Sequence, residues 1–383
     1  MKEQNSIQIN PNVLQWAREM SILSPNKASE ETGIGLKRLL QLESGEKQPT
    51  LDELKKMSKT YKRTIATLLL NERPVEKPLP KDRRTVESKE LGSFHFKTII
   101  AVRKARALLT SFLELQEEFG IPERSIEFHA SSNEPSLNPA KQIQQHLKLQ
   151  EVRQLKDSTQ ALESYIEKVE SLGIAVFQLS LVQDKLRGFS LIDERIPVIA
   201  IKRSEPSTAK IFTLFHELGH IILGDDGICD INFNQNAQQI EKWCNSFAAD
   251  ILISSKELLN HEIVKQQISS SKREWSKMDL VRMGNNFHVG PLAILRRLLE
   301  LDLTTPEFYS EKHKDWNKPS FGRSKYPEGR NIPKETIREK GRTYVGLAFK
   351  AYDQNRIDLK DLSDFLGVKL SYIPKTRQLI SSL

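Results

Sequence analysis

Cysteine is scarce in this chain of 383 residues: there are two, Cys229 and Cys244, too few for a disulfide framework. That scarcity fits a reducing, cytoplasmic setting. No run of 18 apolar residues occurs, so no membrane-spanning helix and no membrane partner are expected. The opening residues, MKEQNSIQINP, lack the apolar centre of a signal peptide. No internal repeat is visible. What is present is a chain with 38% hydrophobic and 28% charged residues, the balance of a soluble, helix-rich protein of two or three domains. The net charge of +8 permits nucleic-acid binding without establishing it.

The patterning divides the chain into four parts. Residues 1–72 read as a bundle of short helices, with VLQWAREM at helical spacing and Ser24-Pro25 as an N-cap followed by proline at the first helical position. Gly33 interrupts, GLKRLLQLE forms a further helix, and Gly45 ends it. Residues 73–92, rich in proline and charge, read as a linker. Residues 93–305 hold a helix near Ile99 to Phe119 and a second helical stretch from about Pro139 to Leu172. Two short buried strands follow, GIAVFQL and PVIAIK, and then further helices. Residues 306–383 begin with a basic Gly/Pro-rich segment, Tyr309 to Pro333, and continue as helices, with a strand candidate at VKLSYI. The fold class expected is mainly α with a small β-sheet (α+β).

One stretch carries chemistry: IFTLFHELGHIILG, Ile211 to Gly224. A buried ionisable group is costly unless it is paired or binds a metal. On a helix, His216 and His220 are four residues apart and project from one face, where both imidazoles can reach one cation. Glu217 lies one residue round and can touch a water on that cation without binding it. These are the mechanics of the H-E-x-x-H zinc motif, in which the glutamate is a general base. Catalytic zinc takes three protein ligands and a water. The next long helix, roughly Gln238 to Ser254, offers Glu241, about six helical turns on. Asn245, one turn further, can hydrogen-bond a ligand histidine and orient it. The competing view is an exposed Glu241, with the histidines satisfied by backbone carbonyls. Gly219, costly in a helix, suggests a close approach of another backbone.

These segments resemble the ImmA/IrrE family of zinc metallo-endopeptidases: Ile211 to Gly224, then Gly227-Ile228-Cys229-Asp230, then Glu241 to Ala249, with LRGFSLIDERIPVIAIKRS similar to the family's strand pair. The first 70 residues resemble the XRE-type helix-turn-helix domain that such peptidases often carry in front, and the C-terminal segments resemble the tails of the same multidomain proteins. The resemblance implies a zincin-like peptidase domain in which His216, His220 and Glu241 bind zinc and Glu217 is the base. It also implies a DNA-bound repressor as substrate, cleaved to derepress a mobile element or a stress regulon. Ile251-Leu252-Ile253-Ser254-Ser255 stands where the family often has a Leu-Met-Pro sequence at the helix exit.

In helix-turn-helix docking the second helix enters the major groove. Leu36, Leu39 and Leu42 are then expected to pack partly inward. Lys37, Arg38 and Gln41 become candidates to meet bases, and Lys47 and Gln48 candidates to hold phosphates of double-stranded DNA. Glu43 is a candidate brace for the following loop. A homodimer is one candidate assembly, since such proteins often bind palindromic sites as dimers. The alternative use of this domain is protein docking. Of the other features, Cys229 and Cys244 read as small buried hydrophobes. His288 reads as a cap or surface histidine, with oxyanion stabilisation as its competing role. The segment Lys312, Lys314, Trp316, Lys318, Phe321, Arg323 and Lys325 reads as a solvated basic-aromatic loop, and Ile357 to Gly367 as a small helical packing element. Two functional classes emerge. The first is a zinc endopeptidase fused to a DNA-binding domain. The second is a DNA-binding regulator or defence component whose metal domain is structural or sensory.

Overall fold

A computed structural model describes residues 8–77, 96–122, 126–181, 186–192, 195–224, 236–269, 273–316 and 331–381. They group into two compact units, 8–77 with 96–103, and 104–381. The first unit holds helices α1 (Pro11–Glu19), α2 (Pro25–Thr32), α3 (Leu36–Glu43), α4 (Leu51–Tyr61) and α5 (Ile65–Leu68). Their ends are set by local chemistry. The Ser24 side chain accepts from the Lys27 N–H with Pro25 opening α2, and Gly33 closes that helix at φ 66°. Thr50 and Glu53 form a reciprocal capping box at the start of α4. Val13, Leu14, Ala17, Leu39, Leu42 and Met57 are fully buried in the core of this unit.

Helix α6 (Phe96–Glu118) supplies 96–103 to the first unit and 104–118 to the second. The long helix expected from Pro139 to Leu172 is three helices: α7 (Leu137–His146), α8 (Leu149–Arg153) and α9 (Ser158–Glu170). The left-handed backbone of Lys148, at φ 49°, turns the chain after α7. Asp157 then starts α9 by accepting from the Thr159 and Gln160 N–H groups. Apolar periodicity persists across such breaks, because all three pieces bury residues in one core.

Strands β1 (Ala175–Leu179), β2 (Gly188–Leu191) and β3 (Val198–Lys202) form a sheet of order β1-β3-β2. β3 runs parallel to β1, with Ala175 opposite Val198, and antiparallel to β2, with Gly188 opposite Ile201. β1 and β3 are buried along their whole length, which is why their sequences read as continuous apolar runs. Helix α10 (Ser207–Ile222) packs on α9, β2, β3 and α11 (Asn236–Leu252). Beyond it lie α12 (Ser255–Asn260), α13 (Glu262–Ser269), α14 (Lys277–Phe287), α15 (Pro291–Glu300) and α16 (Pro306–Trp316). The chain closes with α17 (Ile332–Lys340), α18 (Arg342–Asp353), α19 (Leu359–Leu366) and α20 (Ile373–Ser381).

Two expectations for the C-terminal part change. VKLSYI is not a strand: Leu370–Tyr372 form a 3-10 turn leading into α20, and no strand among the described residues runs beside them. Of the segment expected as a Gly/Pro-rich loop, Tyr309 to Trp316 belong to α16, so Lys312 and Lys314 lie on a helix. Lys318, Phe321, Arg323 and Lys325 lie outside the described residues. His288, outside this part, takes the first of the two roles expected of it. It caps the C-terminus of α14 at φ 53° and is buried, with Nδ1 3.3 Å from Ser158 Oγ. That places it in the packing of α9 rather than on the surface.

Candidate metal centre and candidate nucleic-acid interface

Helix α10 is apolar nearly all round, so the imidazoles it carries are buried with it: His216 is 3% exposed and His220 5%. Their rings stand nearly perpendicular, with centroids 5.0 Å apart. Glu241 on α11 completes the set. His216 Nε2 lies 3.2 Å from His220 Nε2 and 3.3 Å from Glu241 Oε2, and His220 Nε2 lies 3.4 Å from Glu241 Oε1. Four ligands at tetrahedral angles and about 2.0–2.1 Å from a zinc ion are separated from one another by about 3.3 Å. The donor set therefore has the spacing and the N, N, O chemistry that zinc requires. These three residues can hold a metal ion together.

Electrostatics agree with the geometry. Burial opposes ionisation of the Glu241 carboxyl, but hydrogen bonds and positive charge from His216 and His220 outweigh it and hold the group well below the usual carboxylate range. Asn245 Oδ1 lies 3.1 Å from His216 Nδ1. Since an amide oxygen only accepts, Nδ1 carries the proton and Nε2 keeps its lone pair for a metal.

Helices α10 and α11 approach closely because Gly219 has no side chain. A Cβ there would lie 3.2 Å from Cys244 Sγ and 3.3 Å from Cys244 Cα. Cys244 is fully buried in this contact, and Cys229 lies outside the described residues, as does the rest of Gly227 to Asp230. Glu217 is 3% exposed and points toward the sheet: a Cβ on Gly188 of β2 would stand 3.1 Å from Glu217 Oε1. The sequence reading missed Gly188, although glycine at the start of a buried strand was a signal for close approach. It also missed Asp250, at the far end of α11. This buried carboxylate accepts from Ser136 Oγ at 2.7 Å and Arg297 Nη2 at 2.6 Å, which anchors the helix that carries Glu241. Ser254, just past the exit of α11, caps α12.

In the first unit, α2 and α3 form the two helices joined by the Gly33 turn. Leu39 and Leu42 reach the core, while Leu36, the first residue of α3, is only partly covered at 37% exposure. Lys37 and Lys47 are exposed. Arg38 is tied to Glu53, with Nε 2.8 Å from Oε1 and Nη2 2.9 Å from Oε2, and it also donates to the Gln48 carbonyl. Gln41 Nε2 donates to Glu46 at 2.7 Å, and Gln48 Oε1 accepts from the Ile9 N–H at 2.8 Å. Glu43 does not brace the following loop. Its carboxylate takes the Arg18 guanidinium, with Nε at 2.8 Å, and so locks α3 to α1. Of the five candidate DNA contacts, two lysines present charge to solvent and three polar side chains are engaged within the unit.

Residues 169–299 match the family model of the IrrE N-terminal-like domain, Peptidase_M78, and residues 14–68 match the model of the helix-turn-helix. No curated protein and no solved structure matches the chain significantly. The first match spans the sheet, His216, His220 and Glu241, and both helices that carry them. The second spans α2, α3 and α4.

Proposed function

Since this chain carries an XRE-type helix-turn-helix domain ahead of an ImmA/IrrE-type peptidase domain, we propose that it is a zinc-dependent endopeptidase that regulates transcription by cleaving a repressor protein. The observation that carries this reading is the set of separations of 3.2, 3.3 and 3.4 Å among His216, His220 and Glu241, the spacing of ligands around one zinc ion. His216, His220 and Glu241 hold the metal. When bound, zinc supplies a Lewis acid that polarises a peptide carbonyl and brings the acidity of water into the neutral range. Glu217, buried beside the ligands, takes a proton from the attacking water and delivers it to the leaving amine. Asn245 keeps His216 in the tautomer and orientation that this needs. The apolar residues of α10 keep bulk water out of the site.

In this reading 1–72 bind double-stranded DNA and 93–305 cleave, while 73–92, of which 78–92 lie outside the described residues, join the two. Residues 306–383 add a helical region. The DNA contacts assigned are Lys37 and Lys47 as exposed cations, and Arg38, Gln41 and Gln48 after release from their present partners. A homodimer would set two copies of α3 on a palindromic operator. Among the described residues no helix is long and apolar enough to cross a membrane. A DNA-bound substrate would place the protein in the cytoplasm.

The test is elemental analysis and cleavage of a co-encoded repressor in parallel. Wild type is expected to hold one zinc per chain. Glu217→Gln should keep the zinc and lose cleavage by at least about a hundredfold, and Glu241→Ala should lose the metal. Cleavage by Glu217→Gln at the wild-type rate would refute the base assignment. Zinc retained by wild type with no repressor cleaved would turn the reading to a regulator with a structural metal.

A further inference from the structure

Away from the metal helices, the second unit contains a cavity of about 430 Å³, within the ~300–1,000 Å³ range of small-molecule sites. Its walls are apolar: Phe112 of α6, Ile174, Val176 and Phe177 at β1, and Tyr344 and Leu347 of α18. Four charged side chains also line it: Glu167 and Lys350, which are exposed, and Glu170 and Lys340, which are less so, and the peptidase chemistry uses none of them. Glu170 ends α9 and accepts from the Thr343 hydroxyl. Burial raises its pKa to about 8, so near neutrality it is protonated and contributes no negative charge. Lys340 ends α17 and is 9% exposed. Its ammonium lies 5.1 Å from the centroid of the Tyr344 ring. No carboxylate of the described residues is within ion-pair distance of it. The neighbouring Glu339 is already engaged by Lys104 at 2.7 Å and by Arg203 at 3.5 Å. A lysine this buried ordinarily has an anionic partner.

We propose that this cavity binds a small organic monocarboxylate, whose carboxylate pairs with Lys340 and whose apolar body lies against Phe112, Ile174, Val176, Phe177 and Leu347. One buried ammonium beside apolar walls matches one negative charge on an apolar body, since the second ammonium of the lining, Lys350, is exposed and lies over the Phe119 ring. A phosphate or a dianion would require the guanidinium or clustered N–H donors that the lining lacks. Glu170, protonated near neutrality, offers the Lys340 ammonium no counter-charge, and the other carboxylate of the lining, Glu167, is exposed and not within ion-pair distance of it. None of the residues lining the cavity belongs to α10 or α11, so its occupancy and metal binding can be measured independently.

The probe is octanoate, with octanol as the uncharged analogue, titrated into the full-length protein by calorimetry. Octanoate is expected to bind one per chain and at least about tenfold more tightly than octanol, the increment of a charge-assisted contact. Lys340→Met keeps the apolar stem and should weaken octanoate about tenfold or more while leaving octanol unchanged. Gly346 of α18 lines the cavity, and a Cβ there meets nothing within 4 Å. Gly346→Leu therefore fills the space at a position where leucine favours the helix, and should abolish both ligands with the fold intact. Absence of octanoate binding to wild type overturns the proposal. So does equal binding of octanol, undiminished binding to Lys340→Met, or undiminished binding to Gly346→Leu.

Discussion

At the scale of single residues, the site depends on what is small as much as on what is reactive. Gly188 begins β2, where a Cβ would lie 2.6 Å from Thr213 Cγ2, 2.9 Å from the Ala200 carbonyl oxygen and 3.1 Å from Glu217 Oε1. Thr213 and Glu217 are one turn apart on α10, so this glycine sets how closely the strand lies over the helix beside the proposed base. Gly188→Ala is expected to destabilise the second unit by about 1–3 kcal/mol, the usual cost of overpacking. It should also depress cleavage while zinc is retained. Urea unfolding and zinc analysis of the variant check this, and an unchanged unfolding midpoint would mean that the strand can retreat freely. That His216 and His220 share a helix face was legible from spacing alone. The role of Gly188 was not, because its neighbours come from β3 and α10.

At the scale of elements, helix α3 of the helix-turn-helix unit is held by ions from its own unit. The Arg38 hydrogen bond, aided by the Thr50 N–H and against the cost of burial, lowers the Glu53 carboxyl to about 2. A carboxyl depressed from 4.5 to about 2 contributes stability that is fully present above pH 4.5 and is lost as pH falls through about 2. The shift alone corresponds to about 3 kcal/mol, and solvent reaching the pair trims this to about 1–2 kcal/mol. Glu53→Gln should therefore lower the stability of the first unit by that amount at pH 7, with the difference vanishing near pH 2. The Met57 methyl NMR signal, followed through urea unfolding at both pH values, reports it, since Met57 is fully buried in this unit. A difference that persists undiminished at pH 2 would contradict the ion-pair account. The same pairing explains why sequence spacing assigned Arg38 to DNA. A helical pattern shows which side chains leave the core, whereas Glu53, fifteen residues away on α4, decides whether the guanidinium is already engaged.

At the scale of the whole molecule, the two units have separate cores, and the metal residues lie in the second. Metal that binds only the folded state stabilises it by mass action, about 4 kcal/mol when the free ion is a thousandfold above its dissociation constant. Chelation of the holoprotein should lower the unfolding midpoint at Met283, buried in the second unit, and leave that at Met57 unmoved. A shift at Met57 as large as at Met283 would sink the assignment of the metal to one unit.

The sequence by itself determined the local chemistry: the helical spacing of His216, Glu217 and His220, the Ser24-Pro25 and Gly33 helix ends, and the candidacy of Glu241 and Asn245 one turn apart. Periodicity and capping depend on neighbours within about a turn, so they survive as pattern. Only the tertiary structure decided the break at Lys148, the helical end of the chain at Leu370, and the exposure of Leu36. It alone decided the engagement of Arg38 and Gln48, the anchoring of Asp250 by Arg297, and the meeting of Glu170 with Lys340 across one cavity. Each of these joins groups that are distant in sequence or turns on which surface a helix covers, and no local pattern encodes such a contact.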